Sequence, residues 1–235
     1  MFTIKIANLT VKINNKYFFS EDLCKNYLSK SNHYDFEVSA TEEQIEKEMQ
    51  DSNYQYSIDY CESICLYRNL CEKMIPYNRF LFHASVVELD GVCYAFAAQS
   101  GTGKSTHTSL WLKHFKDKAR IINGDKPILE LQENQVITYG TPWCGKEGIN
   151  INTSSKLKSI CFLERGETNE IRKLEETEII DRIIHQVILP TNPELVIQLL
   201  DMINILIKTI PCYLLKCNIS EEAVEIAYQG MKEEI

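Results

Sequence analysis

The sequence predicts an α/β protein with an α+β tendency: a core built on a mixed sheet over residues 79–235, preceded by a small α+β lobe over residues 1–78. Three observations carry this prediction. The apolar run Val92-Cys93-Tyr94-Ala95-Phe96-Ala97 leads into a glycine-bearing turn, then into helical spacing at Thr108, Trp111, Leu112 and Phe115. Asp90-Gly91 stands between two apolar runs, the strongest short signal for a hairpin, so the strand entering the turn pairs antiparallel with the one before it. Phe2, Ile4 and Ile6 alternate with other residues, as do Leu9, Val11 and Ile13, which is the period of half-buried strands.

Taken in order, the first two strands lead to Asn14-Asn15, read as a turn before Tyr17-Phe18-Phe19, giving an antiparallel meander. Ser20 is positioned to cap a short helix through Leu28, and Thr41 with Gln44 forms a capping-box pattern that starts a polar helix toward Met49. A longer helix is predicted over 58–75, stopping before Pro76 because proline cannot continue the ladder. Glu62 and Arg68 on that helix read as surface charges, with an inward-facing arginine that contacts a substrate as the alternative. Residues 80–89 form one apolar run before Asp90-Gly91. Downstream, strands are predicted at 120–122, 128–131, 136–139, 158–163 and 212–215. Helices are predicted over 176–189, from Asn192-Pro193 to about Lys208, and after Ser220; Asn as cap with Pro at the first helical position marks a start. Leu195, Leu199, Ile203 and Leu206 give the second of these a broad core-facing side.

The composition is that of an ordinary globular chain, 44% hydrophobic and 25% charged. A formal net charge of -8 argues against a general nucleic-acid binder, and the sequence lacks an apolar stretch long enough to span a membrane. The first residues lack the apolar core of a signal peptide, so the expected location is cytoplasmic. Nine cysteines include no Cys-x-x-Cys pair; Cys61, Cys65 and Cys71 fall at helical spacing and read as small buried side chains rather than as a metal cluster.

The stretch Ala98-Gln99-Ser100-Gly101-Thr102-Gly103-Lys104-Ser105-Thr106 fits a phosphate-binding loop, with Ala98 where the first glycine of that pattern usually stands. Gly101 and Gly103 let the backbone turn tightly and aim N–H groups at an anion. Lys104 supplies a point charge for terminal phosphates, and the Ser105 hydroxyl suits Mg²⁺. Asp125, just after an apolar strand, reads as a second metal anchor, with a turn residue as the bland alternative. His83 is either a structural strand residue or a group suited to proton transfer near neutral pH. Arg165, at a strand end, is either a surface charge or a stabiliser of charge on a transferring phosphate. In the segment 140–148, Trp143 either stacks on a ligand or plugs the core. There Lys146 is suited to phosphate, Glu147 to metal, and Cys144 to nucleophilic attack only with a histidine partner.

His83-Ala84-Ser85, the hairpin, and then Ser100-Gly101-Thr102-Gly103-Lys104-Ser105 resemble the catalytic domain of HPr serine kinase/phosphorylase. The loop also resembles that of ATP-dependent phosphoenolpyruvate carboxykinase. The similarity runs over residues 83–163. It implies a kinase of that fold that takes Mg²⁺ and ATP and passes the γ-phosphoryl to a hydroxyl of a protein, peptide or small-molecule acceptor. Ser100 to Thr106 would hold the nucleotide, Ser105 and Asp125 the metal, His83 would accept a proton or position the acceptor, and His83 or Asp125 would align the acceptor hydroxyl. The HPr kinase family has two adjacent aspartates where this chain has Gly124 and Asp125, and the first is implicated there as the base. That departure leaves open a second expectation, a nucleotide-binding regulatory or scaffold module. The resemblance also allows a homo-oligomer.

Overall fold

The computed structural model describes residues 1–51 and 55–232. The chain opens with an antiparallel hairpin, β1 (Phe2–Ile6) and β2 (Leu9–Asn14), turned at Ala7-Asn8, both at positive φ. There follow α1 (Phe19–Leu23), β3 (Phe36–Ser39), α2 (Glu42–Asp51) and α3 (Ile58–Met74). The predicted third strand of the meander at 17–19 is not formed. The Lys16 and Tyr17 amides are taken by the Glu62 carboxylate at 2.5 and 3.1 Å, and Phe19 enters α1. The third strand of that sheet is β3, parallel to β2. Glu62 is therefore no surface charge but fully buried, because two backbone amides satisfy it. Arg68 is exposed and pairs with Glu48.

The expected Ser20 cap also fails, since Ser20 lies inside α1, which ends at Leu23, and its hydroxyl meets no partner among the described residues; other local signals hold. Thr41 and Gln44 exchange side-chain to amide bonds of 3.0 and 3.2 Å at the start of α2. α3 stops where Pro76 enters a single tight turn, Ile75–Tyr77. Cys61, Cys65 and Cys71 lie buried in the apolar cluster beneath β1 and β2.

The larger sheet is built from β4 (Arg79–Leu81), β5 (Ser85–Leu89), β6 (Val92–Ala97), β7 (Ala119–Asn123), β8 (Ile128–Gln132), β9 (Gln135–Tyr139) and β10 (Ser154–Arg165), joined by β11 (Glu170–Lys173) and β12 (Cys212–Cys217). Its order is β4-β8-β9-β10-β6-β5-β7, with β12 along the second half of β10 and β11 outside it. The sheet is mixed: β6, β10 and β12 are parallel and the other pairings antiparallel. α4 (Lys104–Phe115), α5 (Glu176–Ile183), α6 (Pro193–Thr209) and α7 (Glu221–Lys232) complete the α/β fold that the sequence predicted. Both faces of the central strands are buried. Ala95, Ile160 and Leu214 pack with α5 and α6, whereas Phe96, Cys161 and Leu215 pack with α4 and α7.

The run 80–89, read as one strand, is two. β4 and β5 pair with opposite ends of the sheet, and Phe82, His83 and Ala84 cross between them. The amides of these three residues bond instead to the carbonyls of Pro127, Gln186 and Asp125, at 3.1, 2.7 and 3.1 Å. Segment 124–127 makes the reverse crossing from β7 to β8. The two crossings lie against each other and draw the ends of the sheet together.

A polar network ties the N-terminal hairpin to this sheet. Arg79 donates from Nε to the Ala7 carbonyl at 2.7 Å and pairs with Glu130 at 2.7 Å, and Tyr139 donates to the other Glu130 oxygen at 2.5 Å. Arg79→Ala would leave the mostly buried Glu130 without its cation, and a loss of about 3 kcal/mol is expected in urea unfolding. A change under about 0.5 kcal/mol would contradict this account.

Candidate functional site

Strand directions put one end of the sheet to use. Registers Ser85↔Phe96, Val86↔Asn123 and Phe162↔Ala97 bring the C-terminal ends of β6, β7 and β10 and the N-terminal end of β5 to the same side. Crevices outside the carboxyl ends of parallel strands are where α/β sheets bind ligands. Here they bring together the loop 98–103, Asp125, Arg165 and His83.

The loop takes the shape its glycines allow. Gly101 and Gly103 have φ of 79° and 122°, where a side chain would strain the backbone. α4 starts at Lys104 with no side-chain cap. Among the described residues, no acceptor meets the amides of Gly103, Lys104, Ser105 or Thr106. A helix start leaves four such N–H groups open, and with the helix dipole they favour an anion.

Lys104 folds back along its own loop. Its Nζ donates to the Ala98 carbonyl at 3.2 Å and lies 3.3 Å from His83 Nε2. That same nitrogen is 2.9 Å from Asp125 Oδ1. Lys104 is buried, and burial lowers its pKa against the opposing pull of Asp125 and Glu147. Burial pushes the Asp125 carboxyl up, yet the His83 hydrogen bond and charge, with Lys126 and Lys104, outweigh it and hold the group below its ordinary value. Asp125 is fixed from behind: Asn123 Oδ1 accepts from the amides of Asp125 and Lys126 at 2.9 and 2.6 Å, an Asx turn at the end of β7. Ser105 Oγ and Asp125 Oδ2 carry no hydrogen bond among the described residues and face the same cleft.

That cleft has a volume of about 800 Å³. Its second wall is the segment 140–148. Gly140 makes this approach possible, because a Cβ there would lie 1.9 Å from the Ile151 carbonyl oxygen. Lys146 and Glu147 line the cleft. Trp143 proves a core plug at its base: it stacks on Tyr67 at 4.3 Å and donates to Ser63 Oγ at 3.0 Å. The partner of Cys144 is the Asn150 amide at 3.1 Å, and burial raises its thiol pKa, so it is no activated nucleophile. Arg165 lies on the far side of the loop, where its guanidinium donates to the Gly101 and Thr102 carbonyls at 2.6 and 3.4 Å. By tying down the carbonyls it helps leave the amides facing the cleft. A second cleft of about 600 Å³ runs from the loop past Thr106, Leu110 and Leu163 to Cys217 and Ile219.

Sequence reasoning missed the part played by the N-terminal elements. Phe19, Tyr60, Ser63 and Ile64 face the cleft. No local pattern marks them, since their role exists only once α3 packs across the crossing strands. Lys126 and Gln186 were likewise not singled out.

Under the loop, His107 accepts from Trp111 Nε1 at 3.0 Å, and burial lowers its pKa to about 4. The unfolded chain would bind a proton near pH 6.5 that the folded chain refuses until about pH 4. Stability is then full above the unfolded pKa and falls as pH drops through that window, by about 3 kcal/mol for this group. His107→Gln, which keeps an acceptor, should flatten that part of the urea-unfolding pH profile; an unchanged profile would refute the assignment.

The family model for the SynChlorMet cassette protein ScmC matches residues 45–226. The chain belongs to the ScmC family. The matched stretch contains α3, the loop, His83, Lys104, Asp125 and Arg165, so in this ScmC-family protein every group at the cleft except those of α1 lies within it. No curated protein matches the chain. A solved structure of the Hpr(Ser) kinase/phosphatase from Coxiella burnetii matches at 14% identity and a TM-score of 0.37, over 65% of this chain and 99% of that one. A score of that size does not establish a shared fold, and the architecture above rests on the pairing of its own strands.

Proposed function

We propose that this ScmC-family protein is an ATP-dependent phosphotransferase. The observation that carries this reading is the convergence of Lys104, His83 and Asp125 on an uncapped helix start. Open amides and one buried ammonium suit a chain of phosphates, and a His–Asp pair beside them suits a hydroxyl proton. The triphosphate would lie over residues 100–106, its terminal phosphate between Lys104 and His83. The second cleft, apolar at Leu110, Leu163 and Ile219, would take the nucleoside.

The residues present also fit Mg²⁺. Ser105 Oγ and Asp125 Oδ2 are unengaged oxygens in one cleft, the hard donors that this ion takes alongside phosphate oxygens and water. Among the described residues no cluster of three His, Cys, Asp or Glu side chains holds a metal by itself, consistent with an ion that arrives with its nucleotide. When bound, it would neutralise charge on the bridging and terminal phosphates. The chain's own contribution is to position the groups: Lys104 draws the terminal phosphate down, Arg165 holds the loop, and the His83–Asp125 pair orients and deprotonates the acceptor.

Gly124 favours a second reading, a nucleotide-binding module without transfer. A Cβ there would lie 3.1 Å from the Cys144 carbonyl oxygen, so the segment 140–148 would have to shift to admit another carboxylate. Two measurements separate the readings. A kinase should gain thermal stability with Mg-ATP and release ADP with an acceptor; a module should show the first alone, unaffected by His83→Ala. No stabilisation at millimolar Mg-ATP would overturn both.

A further inference from the structure

A smaller cavity of about 320 Å³ opens beside His83, between α3 and the segment 185–188. It shares Ile64, His83, Lys126 and Trp143 with the phosphate cleft, so the two adjoin along these side chains. Its body is apolar, formed by Ile64, Leu81, Trp143, Val187 and Ile188. Every ionisable group on its wall other than the Tyr67 phenol is basic: Arg68, His83, Lys126 and His185. Arg68 is paired with Glu48 and His83 with Asp125, which leaves Lys126 and His185 as the basic wall groups with no ion pair among the described residues. Gln186 also lines it. It is 5% exposed, its backbone carbonyl holds the His83 amide at 2.7 Å, and its side-chain Oε1 is buried with no hydrogen-bond partner. An orphaned buried acceptor costs stability, and a donor from outside reaches this one only if the Gln186 side chain turns into the cavity.

We propose that this cavity is the acceptor subsite and that it selects a hydroxy acid: an apolar body bearing the reacting hydroxyl, a carboxylate and a hydrogen-bond donor. The assignment rests on the phosphotransferase reading above. The apolar body fills the space between α3 and Ile188, the carboxylate lies toward Lys126, and the donor meets Gln186 Oε1 once that side chain turns into the cavity. The hydroxyl then stands at His83, where the cavity adjoins the phosphate cleft. Its oxygen forms the new bond to the γ-phosphorus as the bond to the bridging oxygen breaks. ADP leaves with that electron pair, and the proton passes to the His83–Asp125 pair.

The probes are N-acetyl-tyrosine, which carries all four features, and N-acetyl-tyrosinamide, which differs only in lacking the carboxylate. The acid at millimolar concentration should raise the melting temperature of the full chain in a dose-dependent way, and the amide should do so at least tenfold less potently. Val187→Trp, which fills the cavity, should abolish the shift with the acid and keep the shift with Mg-ATP. His185→Glu, at an exposed position, puts an acid on the wall and should weaken the acid's effect at least tenfold; it keeps the test readable if Val187→Trp does not fold. No shift with the acid, an equal shift with the amide, or a full shift in both variants overturns the assignment. A shift with the acid but none with Mg-ATP would instead sink the phosphotransferase reading and leave the hydroxy-acid site standing.

Discussion

Lys104→Ala is expected to remove half or more of the stabilisation that Mg-ATP gives the parent protein. A nucleotide at a hundredfold excess over its Kd should contribute about 2.7 kcal/mol, or about 5–10 °C in melting temperature for a chain of this length. Lys104 supplies a single buried positive charge at the helix start, and a charged hydrogen bond there carries about 1.5–3 kcal/mol. Its loss should weaken ATP binding by roughly 10- to 150-fold, which at that excess cuts the stabilisation to about 0.3–1.4 kcal/mol. The variant without nucleotide should be no less stable than the parent. Burial already disfavours the Lys104 charge, and its partners are one carbonyl and a histidine that keeps Asp125 when the lysine is gone. Equal ATP shifts in parent and variant would remove the loop from the site.

Asp125→Asn should separate binding from transfer. The amide keeps the shape of the carboxylate and an oxygen facing His83, so the Asx turn and the crossing segments are preserved. It removes the negative charge that draws a proton to His83 and the oxygen suited to a metal. Transfer to an acceptor is expected to fall by about 10²–10⁴, the range spanned by general acid–base catalysis. ATP binding without metal should hold or tighten, because a carboxylate beside the terminal phosphate repels it; the extra stabilisation from Mg²⁺ should disappear. The parent holds this carboxyl below its ordinary pKa. Its contribution to stability is therefore complete above the ordinary carboxylate range and is lost as pH falls through the lowered value. The variant should lack that acid-range step. Transfer within about threefold of the parent would show that Asp125 takes no part.

The sequence made legible what is encoded locally. Asp90-Gly91 adopts φ of 50° and 83° because the tight hairpin demands it, and the dipeptide announces this. Asn192 caps α6 through a 2.9 Å bond to the Glu194 amide, and Ser220 caps α7 at 3.3 Å. The strand, glycine turn and helix around Lys104 were likewise readable in order. What the sequence hid depends on distant partners. The break at Phe82, His83 and Ala84 has no composition of its own; it follows from backbone bonds to residues 125, 127 and 186. Glu62 looks like any helix-surface acid until two amides from the opposite side of the chain reach it. Trp143 had two open readings, and stacking on Tyr67 with a bond to Ser63 decided between them.

The apolar cluster beneath the first hairpin does not end with the N-terminal elements: Leu81, Ile128, Tyr139 and Trp143 of the larger sheet and its loop belong to it. A truncation that kept only the chain from residue 79 onward would leave these side chains facing water and strip Phe19, Tyr60 and Ile64 from the cleft beside His83. Such a fragment would present a contiguous apolar surface and self-associate. The front elements and the larger sheet therefore share one core, and replacing residues 1–78 would expose part of it.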